Sequence, residues 1–339
     1  MQNDSYHLKS LDYLKVISIF MIVVTHLGFS AITRKNLLFP YWIDMAVPIF
    51  FIISGYVYSL SSDKRKLKGI KDWFKFDNFI DKFLRIFIPY VIIFIIEVLL
   101  YKINNRDIFL REIINGFFTG SWGPGSYYFP VLLQLLFLFP FILFITKTKY
   151  GWLCLILIQI LLEITTQRFG LSDWVYRLLF FRYLGFVTFG ILLYFRDIKG
   201  NDIHILKIFG NRFLLLGMFL CGVGLIYMLS YTSYEPLIFK RWTTTSLPTL
   251  LYSFPLVFVF TKAESLLQRV PKILNNIIIL IAKSTYHIFL VQMTYYWFRV
   301  QDSGRLRESL LESLFICIPL GILFYFVESN LTRKLFKRK

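Results

Sequence analysis

A lysine and a histidine share one face of the first apolar run. In LDYLKVISIFMIVVTH, residues 11–26, Lys15 and His26 stand eleven positions apart. On an α-helix, eleven steps of 100° return to within about 20° of the starting face, and a rise of 1.5 Å per residue separates the two levels by roughly 16 Å. Lys15, Ser18, Ile22 and His26 therefore form one stripe. An imidazole is suited to taking a proton from a hydroxyl near neutral pH. An ammonium at the entrance suits the phosphates of a cofactor whose flexible arm reaches the deeper level. Each residue also has a plainer use: Lys15 can snorkel to a membrane interface, and His26 can be a packed or headgroup-level histidine.

Other polar groups fall inside apolar runs, where an ionisable side chain costs several kcal/mol and usually faces a bundle interior or a water-filled cavity. They are Glu97, Gln134, Gln159, Glu163, His287 and Gln292. Polar side chains also join helices by hydrogen bonds, the first reading for Gln134, Gln159 and Glu163. The segment GFFTGSWGPGSYYF, 116–129, combines aromatics with glycines, which fits a close-packed or re-entrant loop, a sugar-stacking surface or an interfacial aromatic belt. The polar stretch 61–85 interleaves Trp73, Phe74, Phe76, Phe79, Ile80 and Phe83 with lysines. It reads as an amphipathic element on a leaflet, as a plain basic loop, or as an anchor for phosphates. Cys154, Cys221 and Cys317 are far apart, in apolar runs and without metal-ligand spacing.

These residues need a membrane body to position them. Of the 339 residues 57% are hydrophobic and 17% charged, against roughly 45–50% and 25% in soluble domains. That balance excludes an ordinary water-soluble fold. Ten spans of about 20 residues would use roughly 200 residues and leave short loops. Hydropathy places them near 11–30, 43–60, 86–103, 127–146, 151–167, 178–195, 213–231, 245–262, 277–297 and 309–328. The fold expected is an all-α, polytopic membrane bundle of about ten helices, a single body over 1–339 with no soluble appendage. The first run lacks a small-residue cleavage site and is expected to stay as a span. With both termini cytoplasmic, the segments left inside hold the larger share of the 38 Lys and Arg, as the positive-inside rule requires. The net charge of +18 is then topology, and no nucleic-acid partner is expected. No internal repeat is visible.

The sequence resembles the acyltransferase-3 family of integral membrane acyltransferases over most of its length. The pieces that carry the likeness are LDYLKVISIFMIVVTH at 11–26, VPIFFIISGYVYS at 47–59, KFLRIFIPY at 82–90, YYFPVLLQLLFLFP at 127–140, FRYLGFVTFGILL at 181–193 and STYHIFLVQ at 284–292, in the family's order. The resemblance implies a multi-pass enzyme of a bacterial cytoplasmic membrane that takes an acyl group, usually acetyl, from cytoplasmic acyl-CoA. It delivers that group to a hydroxyl of a cell-surface polysaccharide or lipid-linked glycan. His26 matches the family's essential histidine, and Lys15 falls where members usually carry arginine. Lys82 and Arg85 match a basic pair, and with Lys15 they are the residues expected at the acyl-CoA phosphates. Glu97, Tyr127, Tyr128, Gln134, Arg182 and Gln292 are candidates for the acceptor path. Gln292 stands where many members have histidine, Gln134 where many have glutamate and Tyr128 where many have tryptophan. Acyl-CoA is implied as a donor substrate, with no resident cofactor and no metal. His26 could act as general base or carry the acyl group. Two rival readings are a transporter or flippase of a glycan intermediate, with His26 and Glu97 relaying protons, and a scaffold subunit without chemistry. The lack of a repeat counts against the transporter.

Overall fold

The computed structural model describes residues 8–104, 107–199, 211–232, 242–303 and 310–336, and among these no strand occurs. Leucine, isoleucine, phenylalanine and valine dominate the long runs. In lipid such a chain must satisfy every backbone amide within its own segment, which leaves the helix as the stable form. Among the described residues ten helices of 13 residues or more follow in order. They are α1 (Lys9–Thr25), α2 (Ala46–Lys64), α3 (Phe76–Ile103), α4 (Tyr128–Thr146), α5 (Gly151–Arg168), α6 (Leu184–Lys199), α7 (Arg212–Tyr231), α8 (Leu250–Lys262), α9 (Lys272–Ser303) and α10 (Leu310–Phe336). Among the described residues five shorter α-helices, four of them Ala31–Asn36, Ile70–Trp73, Asp173–Leu178 and Glu264–Leu267, occupy the connections.

Among the described residues seven elements are long and apolar enough to cross a membrane: Phe39–Lys64, Phe76–Ile103, Tyr128–Thr146, Gly151–Arg168, Arg212–Tyr231, Lys272–Arg299 and Leu310–Lys334. The remaining three expected spans are helical but shorter. They are α1 with 17 residues, α6 with 16, and the apolar stretch Leu247–Lys262. The protein is an all-α polytopic helix bundle. Large apolar side chains on its outside, such as Phe213, Leu216, Phe315 and Leu323, are what a lipid-facing surface carries.

Two boundaries differ from the sequence expectation. The first helix ends at His26, and Gly28, at a φ of 56°, turns the chain before the helix Ala31–Asn36. A side chain is strained in that left-handed conformation and glycine is not. The stretch 61–85 is divided among three helices: its start ends α2, Ile70–Trp73 is a short helix of its own, and 76–85 are the first turns of α3, where Phe79, Phe83 and Phe87 stack at ring separations of 6.1 and 4.9 Å. Spacing of four residues puts these rings on one helical face, so the apolar pattern continues the span inward. Trp73 is buried, and its indole N–H donates to the Leu136 carbonyl at 3.2 Å.

The core of the bundle is the pairing of α2 with α6, and α1 lies between α2 and α9. Backbones of α2 and α6 touch at two glycines. A β-carbon on Gly55 would stand 2.2 Å from the Val187 carbonyl oxygen, and one on Gly190 would stand 1.9 Å from that of Ile52. Small residues at such a crossing are how membrane helices gain close van der Waals contact without a hydrophobic driving force.

Gly55→Leu should therefore lower the thermal midpoint in detergent, with a loss of about 1–3 kcal/mol from overpacking. Gly217→Leu, on α7 with no heavy atom within 4 Å of an added β-carbon, should leave the midpoint unchanged. Equal midpoints for the two variants would disprove the crossing.

Candidate functional site

The stripe on α1 opens onto two cavities. One, of about 240 Å³, is lined by Lys15, Ser54, Arg85 and Tyr58. The other, of about 670 Å³, is lined by His26, Tyr127, Asp44 and Arg182. Three residues line both: Ile22 from α1, Tyr128 from α4 and Phe289 from α9. The rings of Tyr128 and Phe289 sit 5.0 Å apart, and Phe51 packs on Tyr128 at 5.7 Å. An apolar septum thus separates a chamber edged by two cations from a chamber holding an imidazole.

Backbone capping fixes α1 between them. The first N–H groups of a helix have no intrahelical acceptor, and here those of Lys9 and Ser10 donate to the Glu264 carboxylate at 3.0 and 2.8 Å. At the other end Arg34 donates to the Thr25 carbonyl at 3.1 Å and pairs with Asp44 at 2.9 Å. A cation at a helix C-terminus is favoured by the macrodipole. Thr244 donates to the second Asp44 oxygen at 3.1 Å, so the carboxylate is held from two sides. His26 follows directly as the residue that caps α1, and its ring lies 6.0 Å from that of Tyr296. The turn 120–127 closes over it. Gly125, at a φ of 87°, comes so near that an added β-carbon would lie 3.8 Å from His26 Nε2.

The remaining sequence candidates divide. Tyr127, Tyr128 and Arg182 line the larger cavity with His26. Lys15 and Arg85 share the smaller one, and Lys15 also pairs with Asp12 at 3.3 Å. Lys82 lines neither cavity. Its ammonium lies 3.9 Å above the Trp73 ring and donates to the Asn78 carbonyl at 3.2 Å, so it holds the turn before α3 onto the bundle. Glu97 is buried between α3 and α9 and accepts from Thr294 at 2.7 Å. Gln292 is buried on α9, outside both cavities, with no partner for its amide. Gln134 spans a chain turn, donating to the Leu178 carbonyl at 2.6 Å and accepting from the Phe180 N–H at 3.0 Å. Gln159 donates to Glu163 and to the Arg182 carbonyl, both at 2.8 Å, and accepts from the Gly185 N–H at 2.8 Å. These are contacts that tie elements together.

Sequence reasoning missed Arg34, Asp44, Trp174, Arg177 and Thr243–Thr245 on the wall of the larger cavity. One signal was present: Asp44 is the lone acidic residue between His26 and Asp63, at the mouth of an apolar run. Chemically, the larger cavity joins an imidazole, hydroxyls, aromatic rings and guanidinium groups, a set that can bind a polyhydroxylated molecule and accept a proton from it.

A family model described as an acyltransferase domain matches residues 8–327. Comparison with curated proteins and with solved structures finds no match.

Replacing Gln134 with alanine leaves a carbonyl and an amide without their partner, a cost of about 1–3 kcal/mol. The thermal midpoint in detergent should fall accordingly. An unchanged midpoint would remove the clamp and return Gln134 to the set of candidates for substrate contact.

Proposed function

The chain belongs to the acyltransferase-3 family of membrane acyltransferases, and from that premise we propose that it moves an acetyl group from cytoplasmic acetyl-CoA to a hydroxyl of a cell-surface polysaccharide or lipid-linked glycan. The observation that supports this reading best is the pair of cavities meeting at Ile22, Tyr128 and Phe289. Lys15 and Arg85 stand in one and His26 in the other, with the lysine and the histidine on a single helix.

On this reading the N-terminus is cytoplasmic. Lys15 and Arg85 bind the phosphates of the donor by charge-assisted hydrogen bonds, and the arm carrying the thioester follows the apolar smaller cavity toward the septum. The acceptor occupies the larger cavity, where Trp174 and Tyr127 offer rings to a sugar face. His26 takes the proton of the acceptor hydroxyl as its oxygen attacks the thioester carbonyl. The carbon–sulfur bond breaks, and the proton returns to the departing CoA thiolate. In a two-step variant the imidazole nitrogen itself accepts the acetyl group and passes it on; acetyl-His26 would then be trapped when acceptor is withheld. Lys82, seated on Trp73, is given no part in holding the donor.

The test uses the full chain in lipid with radiolabelled acetyl-CoA and a glycan acceptor. His26→Ala should lower transfer by about 100-fold or more, the usual contribution of a positioned acid–base group. Undiminished transfer would remove the assignment. Absence of acyl-CoA binding, with loss of glycan export and intact acetylation in cells lacking the protein, would favour a transporter. The orientation has its own check in a protein whose Cys154 and Cys221, both exposed, are first replaced by serine. A cysteine at Trp174 should react with an impermeant thiol reagent added outside whole cells, and a cysteine at Lys68 should not.

A further inference from the structure

Arg182 is nine-tenths buried on the wall of the larger cavity yet has no carboxylate within ion-pair distance among the described residues. Its guanidinium lies 4.9 and 5.0 Å from the ring centroids of Tyr176 and Tyr183. Nη2 donates to Thr245 at 3.0 Å, and Nε has no hydrogen-bond partner. The field of Glu163 reaches this group, but the Glu163 oxygens accept from Gln159 and from Trp242. Two carboxylates share the cavity with Arg182, and both are engaged: Asp44 by Arg34 and Thr244, and Asp173 by a contact of its own. A second guanidinium, Arg177, stands exposed on the same wall, without an ion pair among the described residues.

Arginine stays charged in any such setting, and a buried charge without a partner costs several kcal/mol. A fold keeps one at a cavity wall at that cost when a ligand supplies the counter-charge. Rings on the guanidinium hold its plane, and the N–H groups that no protein acceptor takes among the described residues suit an oxyanion.

We propose that the acceptor carries an acidic group, a sugar carboxylate or a phosphate, and that Arg182 binds it with Arg177 assisting. The inference rests on the acceptor occupying this cavity, as in the proposed function, and adds the chemical class that the cavity selects. The position of the anion then orients the sugar, presenting one of its hydroxyls to His26, which lines the same cavity.

Binding is measured without acyl donor, on the full chain in lipid nanodiscs, by saturation-transfer NMR with glucuronate, glucose 1-phosphate and glucose. At least one charged sugar should bind about 10-fold tighter than glucose, as a charge-assisted bidentate contact gives. Preference for glucuronate names a carboxylate and preference for glucose 1-phosphate names a phosphate. Arg182→Gln should abolish the difference and Arg182→Lys should keep part of it. Arg177→Gln, at an exposed position, should reduce the difference while leaving the thermal midpoint unchanged, and it decides the matter if the Arg182 variants do not fold. Equal binding of all three sugars, or discrimination that survives in Arg177→Gln and Arg182→Gln, overturns the proposal. Because no acyl donor is present, these outcomes are independent of whether His26→Ala abolishes transfer.

Discussion

Both ends of α1 are held by charges acting on free backbone groups of the helix, and this sets the level of every side chain along it. Glu264 takes the N–H groups of Lys9 and Ser10, and Arg34, itself held by Asp44, takes the Thr25 carbonyl. A helix tied only by apolar contacts can slide or rotate at little cost, since lipid tails and leucine side chains are equally apolar. The two polar ties remove that freedom. Lys15 and His26 consequently stay on opposite sides of the Ile22 level, roughly 16 Å apart by helix rise, and each faces its own cavity.

Where polar groups are buried elsewhere, they mostly act on backbone. Gln134 and Gln159 both bond the chain around the 3-10 turn Phe180–Tyr183, from α4 and α5 respectively. Irregular backbone is tolerated at membrane depth when protein satisfies it, and this turn is what brings Arg182 to the cavity. The two glutamines thus act on the site through the backbone they hold. Glu163, bound by Gln159 and Trp242, extends the same brace toward the threonines Thr243–Thr245.

The stripe on α1 was legible in the sequence because it depends only on helical periodicity within one unbroken run. The same reasoning located ten helical elements, with errors of several residues where a boundary depends on tertiary contact. The start of α3 is an example: lysines between Arg65 and Lys82 suggest a loop, whereas Trp73 and the phenylalanine ladder dock that stretch on α4. That Lys82 lines neither cavity was not legible for the same reason, since a charge pattern does not show that an ammonium will rest on an indole. The larger cavity was hardly legible at all. Its wall draws on segments around residues 22–26, 34, 43–47, 124–128, 173–182, 243–245 and 289, and no local pattern links an arginine at 34 to an aspartate at 44 or a threonine at 244.

The septum between the cavities answers a demand that any chemistry conducted across a membrane must meet. A continuous polar channel from Lys15 to His26 would pass water and ions and would expose a thioester to hydrolysis. Ile22, Tyr128 and Phe289, which line both cavities, put apolar surface where the two chambers meet, and an apolar constriction disfavours water. An acetyl group is small and uncharged, so on the proposed route it is the one part of the donor able to enter such a constriction without carrying solvent with it. On the same route the phosphates would stay with the cations at Lys15 and Arg85, and the acceptor with the guanidinium groups beyond. Tyr128 has a phenolic oxygen on an otherwise apolar ring and touches Phe51 and Phe289 through its faces and edges. On the proposed route, selectivity for a short acyl group would reside in aromatic packing at the septum, separate from the charges that would recognise donor and acceptor.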